Sequence, residues 1–437
     1  MSIHAAIDPP VARPVAAPRI GLDAMGAWIF TLSVVMLPKM GLSLGDVPIN
    51  VSVLVGEGLA LIGWGLALAH LRSSREWLGL TLLALASVVW LGNVVYYVSA
   101  YSVGGRDLAM MVFYYFSVFG LGVAYLVMHR PAFAEAAMKG IGFGFRFLLV
   151  YALLQIVFGA EAVAIRNVTA IYDETFDEVL NRHNVIHALD SYKIMGTYNN
   201  GNIFSICLLL LAPFAIQDCR SMATRLIFIV FLNVVIIFSA SLSAYIGVII
   251  IDAMFFVFFL RHSPVAAVLA PVALAGAVYV YFIAFCQGLT CSAWRLIEVR
   301  FLDRQLGENV RFQKIDMWLE SLGEAPARMF TGDMYGLDQY IFEVMPLAFA
   351  QYFGVIVLLI FTLFYFALLN PFRARFYKAG LYAYLFASLG DGVFWTTPTP
   401  YLLGVTLGLS AYLDRRERES EAAPDRTRSD PHLRQGA

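Results

Sequence analysis

MPLAFAQYFGVIVLLIFTLFYFALL, residues 345–369, contains no charged side chain. A membrane-spanning helix needs about 20 mostly apolar residues, so this stretch alone predicts a span. Similar runs recur along most of the chain. The sequence therefore predicts an all-α, polytopic membrane protein.

The composition extends this prediction to the whole chain. Of its 437 residues, 60% are hydrophobic and only 14% are charged, and the mean hydropathy is +0.73. Because soluble domains carry about 25% charged residues, a soluble globule is excluded. The net charge of −1 argues against nucleic acid as a partner.

Twelve apolar segments are predicted to span the membrane. They cover residues 24–38, 50–70, 77–99, 107–128, 138–159, 202–218, 223–240, 243–260, 264–286, 345–369, 376–393 and 398–413. The first segment ends in Leu37-Pro38-Lys39 without a small-residue cleavage pattern, so we expect a retained span rather than a signal peptide.

The basic residues orient these spans. Alternate connections and the tail hold Arg72, Arg75, Arg130, Lys139, Arg220, Arg225, Arg261, Arg373, Arg375, Lys378, Arg415, Arg416 and Arg418. The short connections on the other side hold only Lys39 and Arg106. By the positive-inside rule, both termini are predicted to be cytoplasmic.

The domain organisation follows from this topology. A cytoplasmic segment (1–22) precedes spans (23–159), a periplasmic loop (160–201), spans (202–286), a large periplasmic loop (287–345), spans (346–413) and a disordered cytoplasmic tail (414–437). We expect short helices in both loops, over 173–189 and where Phe312, Ile315 and Leu319 recur at helical spacing. No internal repeat relates the two halves, which disfavours a transporter of duplicated halves.

The cysteines and histidines do not indicate a metal site. Cys207, Cys219, Cys286 and Cys291 form no CxxC pair and no Cys/His metal spacing. His183 and His187 are spaced i,i+4 with no evident third ligand. Cys286 and Cys291 are either bridged, in an oxidising periplasm, or free thiols.

Two polar stretches at span ends stand out. Residues 193–202 read KIMGTYNNGN and offer amide groups for sugar hydroxyls, or simply a turn and a helix N-cap. Ser241 and Ser243 lie in a tight turn between predicted spans. They either bind substrate or let two helices pack closely.

Charged residues supply two further candidates. The second long loop carries Arg300 and Arg311, whose guanidinium forks match phosphate oxygens, and a carboxylate at Asp338 or Glu343 that could serve as a general base. The alternative is surface ion pairing. Arg146 lies deep in a predicted span, as a structural or functional buried charge, with Glu57 and Asp391 as candidate partners.

Taken in order, these residues resemble the bacterial O-antigen polymerase and ligase family, the Wzy/WaaL-like membrane glycosyltransferases. Residues 196–202 look like its Gly-Thr-aromatic-Asn-x-x-Asn start of a span, and residues 241–244 like its Ser-Arg-x-Ala turn. Arg311, Gly332 to Gly336, residues 338–340 and Gly354 look like its closing pattern. Leu242 stands where many members have Arg, Lys193 where many have the first Arg, and Asp338 where ligases have His, which leans toward a polymerase.

The resemblance implies a polymerase of undecaprenyl-pyrophosphate-linked repeat units at the periplasmic face, with no cofactor. A chain-length regulator and export machinery would be its partners, with membrane lipid around it. Arg311 and Lys193 would stabilise the leaving pyrophosphate, and Asp338, with Glu343 as the alternative, would take the acceptor proton. The substrate-binding residues would be Arg182, Asn199, Asn202, Ser241, Ser243, Arg146 and Arg300.

Two other functions stay open on the sequence. A ligase would move finished glycan onto another lipid or a protein. A lipid-linked oligosaccharide flippase often has about twelve spans too, although the two long outer loops favour an enzyme.

Overall fold

The structure is a computed structural model. It describes residues 21–44, 47–101, 103–171, 175–186, 191–262, 310–334, 344–391 and 393–422, together with positions 265 and 268. Its described elements are nearly all helices, as predicted, and only two short antiparallel strand pairs accompany them.

The described residues between Leu22 and Phe258 form eleven α-helices and both strand pairs. The helices are α1 (Leu22–Phe30), α2 (Val51–Ala69), α3 (Ser74–Ala100), α4 (Gly105–Phe119), α5 (Val123–His129), α6 (Pro131–Phe158), α7 (Ala160–Val163), α8 (Phe176–His183), α9 (Gly201–Gln217), α10 (Met222–Ser239) and α11 (Leu242–Phe258). The strands are β1 (Gly41–Leu44) with β2 (Val47–Asn50), and β3 (Val185–Ile186) with β4 (Ser191–Tyr192).

The described remainder adds five helices. They are α12 (Val310–Glu324), α13 (Arg328–Thr331), α14 (Met345–Leu369), α15 (Ala379–Ala387) and α16 (Thr399–Ala422). Short 3-10 turns join α4 to α5 at Gly120–Gly122 and precede α15 at Phe376–Lys378.

Six described helical segments are long and apolar enough to cross a membrane: α2, α3, α4 continued through α5 from Asp107, α6, α10 and α14. Three shorter apolar helical segments accompany them, at Leu22–Met36, Gly201–Gln217 and Leu242–Phe258. The molecule therefore has the character of a polytopic membrane protein.

The bundle has two distinguishable ends. We call the end where α2 and α9 begin and α3, α6 and α10 finish the loop end, and the opposite end, where Asp414 lies, the tail end. At the loop end, Lys39 after α1 reaches the Thr397 carbonyl with its ammonium group, over 3.3 Å. The segment before α9 bonds the end of α10, because the Ile194 amide donates to the Phe238 carbonyl over 3.2 Å.

Buried tyrosines fasten the helices to one another. Each places its ring in the core and donates its hydroxyl hydrogen across a helix boundary: Tyr125 to the Arg75 carbonyl (2.6 Å), Tyr365 to the Leu381 carbonyl (2.6 Å) and Tyr401 to the Glu57 carboxylate (2.6 Å). An amphipathic ring with a satisfied hydroxyl suits an apolar interior. Specific contacts thus hold the bundle, in addition to apolar packing.

A buried ion pair holds the tail end. The Lys378 ammonium lies 2.8 Å from the Asp414 carboxylate, and both side chains are fully shielded from solvent. Lys378 also donates to the carbonyls of Asn370 and Arg373, and Tyr377 donates to Asp414. The pair is therefore fully hydrogen-bonded, as a buried charge requires.

Two sequence predictions need correction. The segment 173–189 was expected to be one helix, but α8 ends at His183 and residues 185–186 pair with 191–192 as strands. The tail was expected to be disordered from Asp414, but α16 continues to Ala422. The buried Asp414 and ion pairs from Arg375 to Glu417 and from Arg373 to Glu421 stabilise that last part of the helix.

Candidate functional site

The connection from β4 to α9 is built around the Asn-rich stretch. Asn199 takes a left-handed conformation, with φ +57°, which asparagine tolerates better than most residues. Asn200 then caps α9, since its side-chain oxygen accepts from the amides of Asn202 (2.8 Å) and Ile203 (3.4 Å). Asn200 therefore has the role of a helix N-cap, one of the two interpretations that the sequence left open for this stretch.

The Asn199 side chain is engaged with the first long loop. Its amide group donates to the Ile171 carbonyl over 2.6 Å, and its oxygen accepts from the Ile171 amide over 3.3 Å. These two bonds hold the loop against the start of α9. Asn199 thereby positions the backbone rather than presenting its amide to a ligand.

Lys193 places a positive charge at the start of α9. Its side chain is buried, and its ammonium group donates to the Asn202 side-chain oxygen over 3.1 Å. The Lys193 backbone is fixed by a 2.8 Å bond from its amide to the Asn184 carbonyl. Because the N-terminus of a helix carries a partial positive charge, the two charges together favour an anion at this place.

Gly201 lies between this lysine and the end of α10. A Cβ atom built on Gly201 would lie 2.9 Å from Cβ of Lys193 and 3.1 Å from the Ser239 carbonyl oxygen, so the three segments meet where only glycine fits. Ser241 and Ser243 are both buried. The Ser241 hydroxyl has no hydrogen-bond partner among the described residues.

The first apolar segment, Leu22–Met36, and helix α6 hold this arrangement in place. Tyr198 and Thr197 donate to the carbonyls of Val35 (2.8 Å) and Met36 (2.6 Å) at the end of the first apolar segment. Gln155 of α6 exchanges two hydrogen bonds with the backbone of Gly196, of 3.0 and 2.9 Å. The sequence signal for this contact is a glutamine within an apolar run, and Gln155 is not among the predicted site residues.

Lys39 adds a second ammonium group at the loop end. It bonds the Thr397 carbonyl, and its removal from water lowers the pKa of Lys39 from 10.5 to about 8. Its charge also lies within electrostatic range of Cys207 in α9. The sequence had marked Lys39 only as one of two basic residues in the outer short connections.

The second long connection enters the bundle at Gly332. Gly332 (φ +66°) and Gly354 of α14 (φ +81°) both adopt backbone conformations that L side chains rarely reach. A Cβ on Gly354 would overlap the Phe330 carbonyl, and one on Gly332 would overlap the Tyr352 carbonyl. These two glycines of the family-like closing pattern are therefore required because the backbone of the second long connection touches the backbone of α14 here.

Asp333 is the carboxylate that this insertion buries. Tyr97 of α3 donates its hydroxyl hydrogen to the carboxylate, and the Arg328 Nε atom lies 3.3 Å from it. The Asp333 backbone exchanges two bonds with Gln351, of 2.6 and 3.1 Å. Sequence reasoning had passed over Asp333 in favour of Asp338, five residues later.

Arg146 belongs neither to the group of residues around Lys193 nor to the group around Asp333. Its side chain is exposed on α6, and its guanidinium lies 5.7 Å from the centre of the Phe228 ring. Glu57, one candidate partner, accepts from Tyr401 instead. Arg146 precedes Gln155 by nine residues, about 13 Å along a helix axis, so it lies well below the loop end.

The remaining site predictions lie outside the described residues. Asp338, Glu343 and Arg300 are among them, as are Cys286 and Cys291. Arg182 and Arg311 have their backbones in α8 and α12, but their side chains are not described. The convergence of Lys193, Arg311 and Asp338 therefore stays a prediction.

An apolar groove of about 420 Å³ runs between α2 and α4. It extends along the first turn of α2 and most of α4. Its walls are formed by Ile49, Asn50, Val53, Leu54, Gly105, Leu108, Ala109, Val112, Phe113 and Phe116. Such a groove suits a hydrocarbon chain better than a polar ligand.

Comparison of the chain with protein-family models, curated proteins and solved structures found no match.

Proposed function

We propose that this chain is a polymerase that joins undecaprenyl-pyrophosphate-linked oligosaccharide repeat units into a surface or extracellular polysaccharide. In this proposal twelve spans cross the bacterial inner membrane, both termini are cytoplasmic, and the loop end faces the periplasm. The observation that carries the proposal is the hydrogen bond from the buried Lys193 to the half-buried Asn202, beside the end of α10 at the loop end of an apolar bundle.

A cation withdrawn from water at this place suits a lipid-linked phosphate. During glycosyl transfer the bond between the donor sugar and its pyrophosphate breaks, and negative charge grows on the pyrophosphate oxygen. Fixed positive charge stabilises that charge without reorganisation. We assign this role to Lys193 with Arg311, and we name Arg182 and Arg300 as helpers.

The acceptor hydroxyl forms the new bond and loses its proton. We assign that proton to Asp338, with Glu343 as the alternative, because both carboxylates come in the sequence just before the apolar segment that begins at residue 345. Asn202 and the Ser241 and Ser243 hydroxyls would orient the sugars. The donor carries its own leaving group, so the proposal invokes no nucleotide sugar and no cofactor.

The groove between α2 and α4 supports a substrate with an apolar tail. It runs from the loop end along two helices that are apolar enough to lie in the membrane. A polyprenyl chain could lie in it while the pyrophosphate stays at the loop end.

The activity test uses the full chain purified in detergent and lipid-linked repeat units extracted from a strain that lacks it. Longer lipid-linked chains, formed without nucleotide sugar, would support the polymerase. Transfer onto a different lipid or a protein would indicate the ligase instead. Movement across liposomes without any new glycosidic bond would indicate the flippase.

A second experiment tests the orientation. Single cysteines at Glu161, near the loop end, and at Glu419, near the tail end, are treated in whole cells with a maleimide that does not cross the inner membrane. Labelling of the Glu161→Cys variant alone is expected. Labelling of Glu419→Cys alone would invert the topology and remove the periplasmic chemistry.

A further inference from the structure

Three tyrosines cluster where α3 finishes at the loop end. The ring centres of Tyr96 and Tyr97 are 5.0 Å apart, and those of Tyr97 and Tyr101 are 5.6 Å apart. Tyr97 is buried, whereas Tyr96 is 57% exposed and Tyr101 is 49% exposed. The exposed rings of Tyr96 and Tyr101 therefore both pack beside the buried ring of Tyr97.

Charged groups contact the buried ring of this cluster. The Tyr97 hydroxyl donates to the buried Asp333 carboxylate, whose other oxygen faces the Arg328 guanidinium at 3.3 Å. The Arg328 side chain is 40% exposed, so part of its donor set reaches the surface. Asn93 ties the same segment to α3 by donating to the Thr331 carbonyl over 3.0 Å.

We propose that Tyr96, Tyr101 and Arg328 form a sugar-binding subsite, which we call the tyrosine subsite. A pyranose has an apolar C–H face, which packs on an aromatic ring, and a rim of hydroxyl groups, which accept hydrogen bonds from a guanidinium fork. The ligand class is a neutral or amide-bearing oligosaccharide. The inference rests on the proposed function and names a place where a repeat unit is held.

The ordinary role of tyrosine at a membrane boundary is to anchor a helix in the headgroup region. That role requires neither a buried carboxylate nor an arginine below the rings. Trp77 provides the comparison, because it is 58% exposed at the other end of α3. If Tyr96 were only a membrane anchor, removing its ring should affect glycan binding as little as removing the ring of Trp77.

The test measures binding of a released oligosaccharide to the purified full chain by isothermal titration calorimetry. The probe is the glycan freed by mild acid from the lipid-linked repeat units of a strain lacking the protein. Tyr96→Ala and Tyr101→Ala should each weaken binding about three- to tenfold, the range expected for one aromatic contact. Trp77→Ala should leave binding unchanged, and Tyr96→Phe, which keeps the aromatic ring, should bind more tightly than Tyr96→Ala.

A further variant separates ring loss from misfolding. Tyr96→Leu keeps the apolar volume without an aromatic face, and should bind as weakly as Tyr96→Ala while its thermal unfolding midpoint matches that of the wild type. Binding at the wild-type level by Tyr96→Ala, Tyr96→Leu and Tyr101→Ala would overturn the subsite. If those variants bind normally and the wild-type chain lengthens repeat units, the tyrosine subsite is wrong but the proposed function stands. If the wild-type chain neither lengthens repeat units nor binds the glycan, the proposed function is wrong as well.

Discussion

Gly354 of α14 lies directly against the carbonyl of Phe330, which belongs to the second long connection of the chain. Its φ of +81° and ψ of 163° interrupt the helix at this place. The contact seats α13 between α3 and α14 and thereby carries Asp333 to Tyr97. One glycine thus decides where a segment outside the spans meets the bundle.

The Gly354→Ala variant should lose this contact. A non-glycine residue in that backbone region costs on the order of 1–3 kcal/mol, and the new Cβ would also overlap the Phe330 carbonyl. We expect a lower thermal unfolding midpoint in detergent and faster proteolysis between Val310 and Met334. Gly58→Ala is the control, because nothing lies within 4 Å of its Cβ position; equal stability of the two variants would contradict the argument.

Removing one partner of the Lys378–Asp414 pair should destabilise the tail end strongly. Lys378→Met leaves a buried carboxylate without its cation, and breaking such a pair costs about 3–5 kcal/mol. The measurement is the free energy of unfolding by denaturant. Glu419→Gln, which removes the exposed partner of Arg415, should cost less than about 1 kcal/mol; a similar small loss for Lys378→Met would show that the pair does not hold the tail.

Lys193 should be required for polymer formation but not for folding. Lys193→Met removes the charge beside Asn202 and should reduce repeat-unit lengthening at least about 100-fold, the scale of one transition-state contact. Lys193→Arg should retain part of the activity. Lys139→Met is the control, since Lys139 is exposed at the tail end of α6; long polymer made by a correctly folded Lys193→Met variant would remove Lys193 from the mechanism.

Lys39 should react as an unusually good nucleophile near neutral pH. Burial lowers the pKa of Lys39 from 10.5 to about 8, so half of its amine is free near pH 8, whereas a lysine peptide needs about pH 10.4. Acylation followed by peptide mass spectrometry should show a rate at Lys39 that levels off above pH 8. A rate that still rises tenfold per pH unit between 8 and 10 would contradict the lowered pKa.

The same shift has a consequence for stability. Between pH 8 and 10.5 the unfolded chain holds a proton on Lys39 that the folded chain has lost, so the contribution of Lys39 to stability rises with pH across that window. Below pH 8 both states are protonated and the contribution is constant. The wild type should therefore gain stability relative to Lys39→Met between pH 8 and 10.

The helices could be predicted where apolar runs are uninterrupted. α14 begins and ends at the predicted residues 345 and 369, because its apolar run has no charged residue between those positions. The break of the helix at Gly354 inside that run could not be predicted, because it depends on the contact with Phe330. The segment 173–189 failed because residues after His183 gain strand pairing with Ser191 and Tyr192, which helical spacing does not reveal.

The site was predictable only where its residues are close in sequence. Lys193, Asn199 and Asn202 lie within ten residues, and Lys193 and Asn202 indeed pair. Asp333 and Tyr97 are 236 positions apart, and no local pattern in the sequence links them. Arg146 was selected because it interrupts an apolar run, yet its position on the exposed side of α6 depends on how the helices pack.

The final turns of the first apolar segment are wound as a π-helix, over Thr31–Met36, in which the Leu37 amide bonds the Leu32 carbonyl. The carbonyls of Val35 and Met36 are left to accept from Tyr198 and Thr197. A chimera that replaces this segment with a generic hydrophobic helix would still insert into the membrane. It would not offer free backbone carbonyls at the positions where Tyr198 and Thr197 donate. The first apolar segment is therefore a specific part of the helix bundle, and it is not interchangeable.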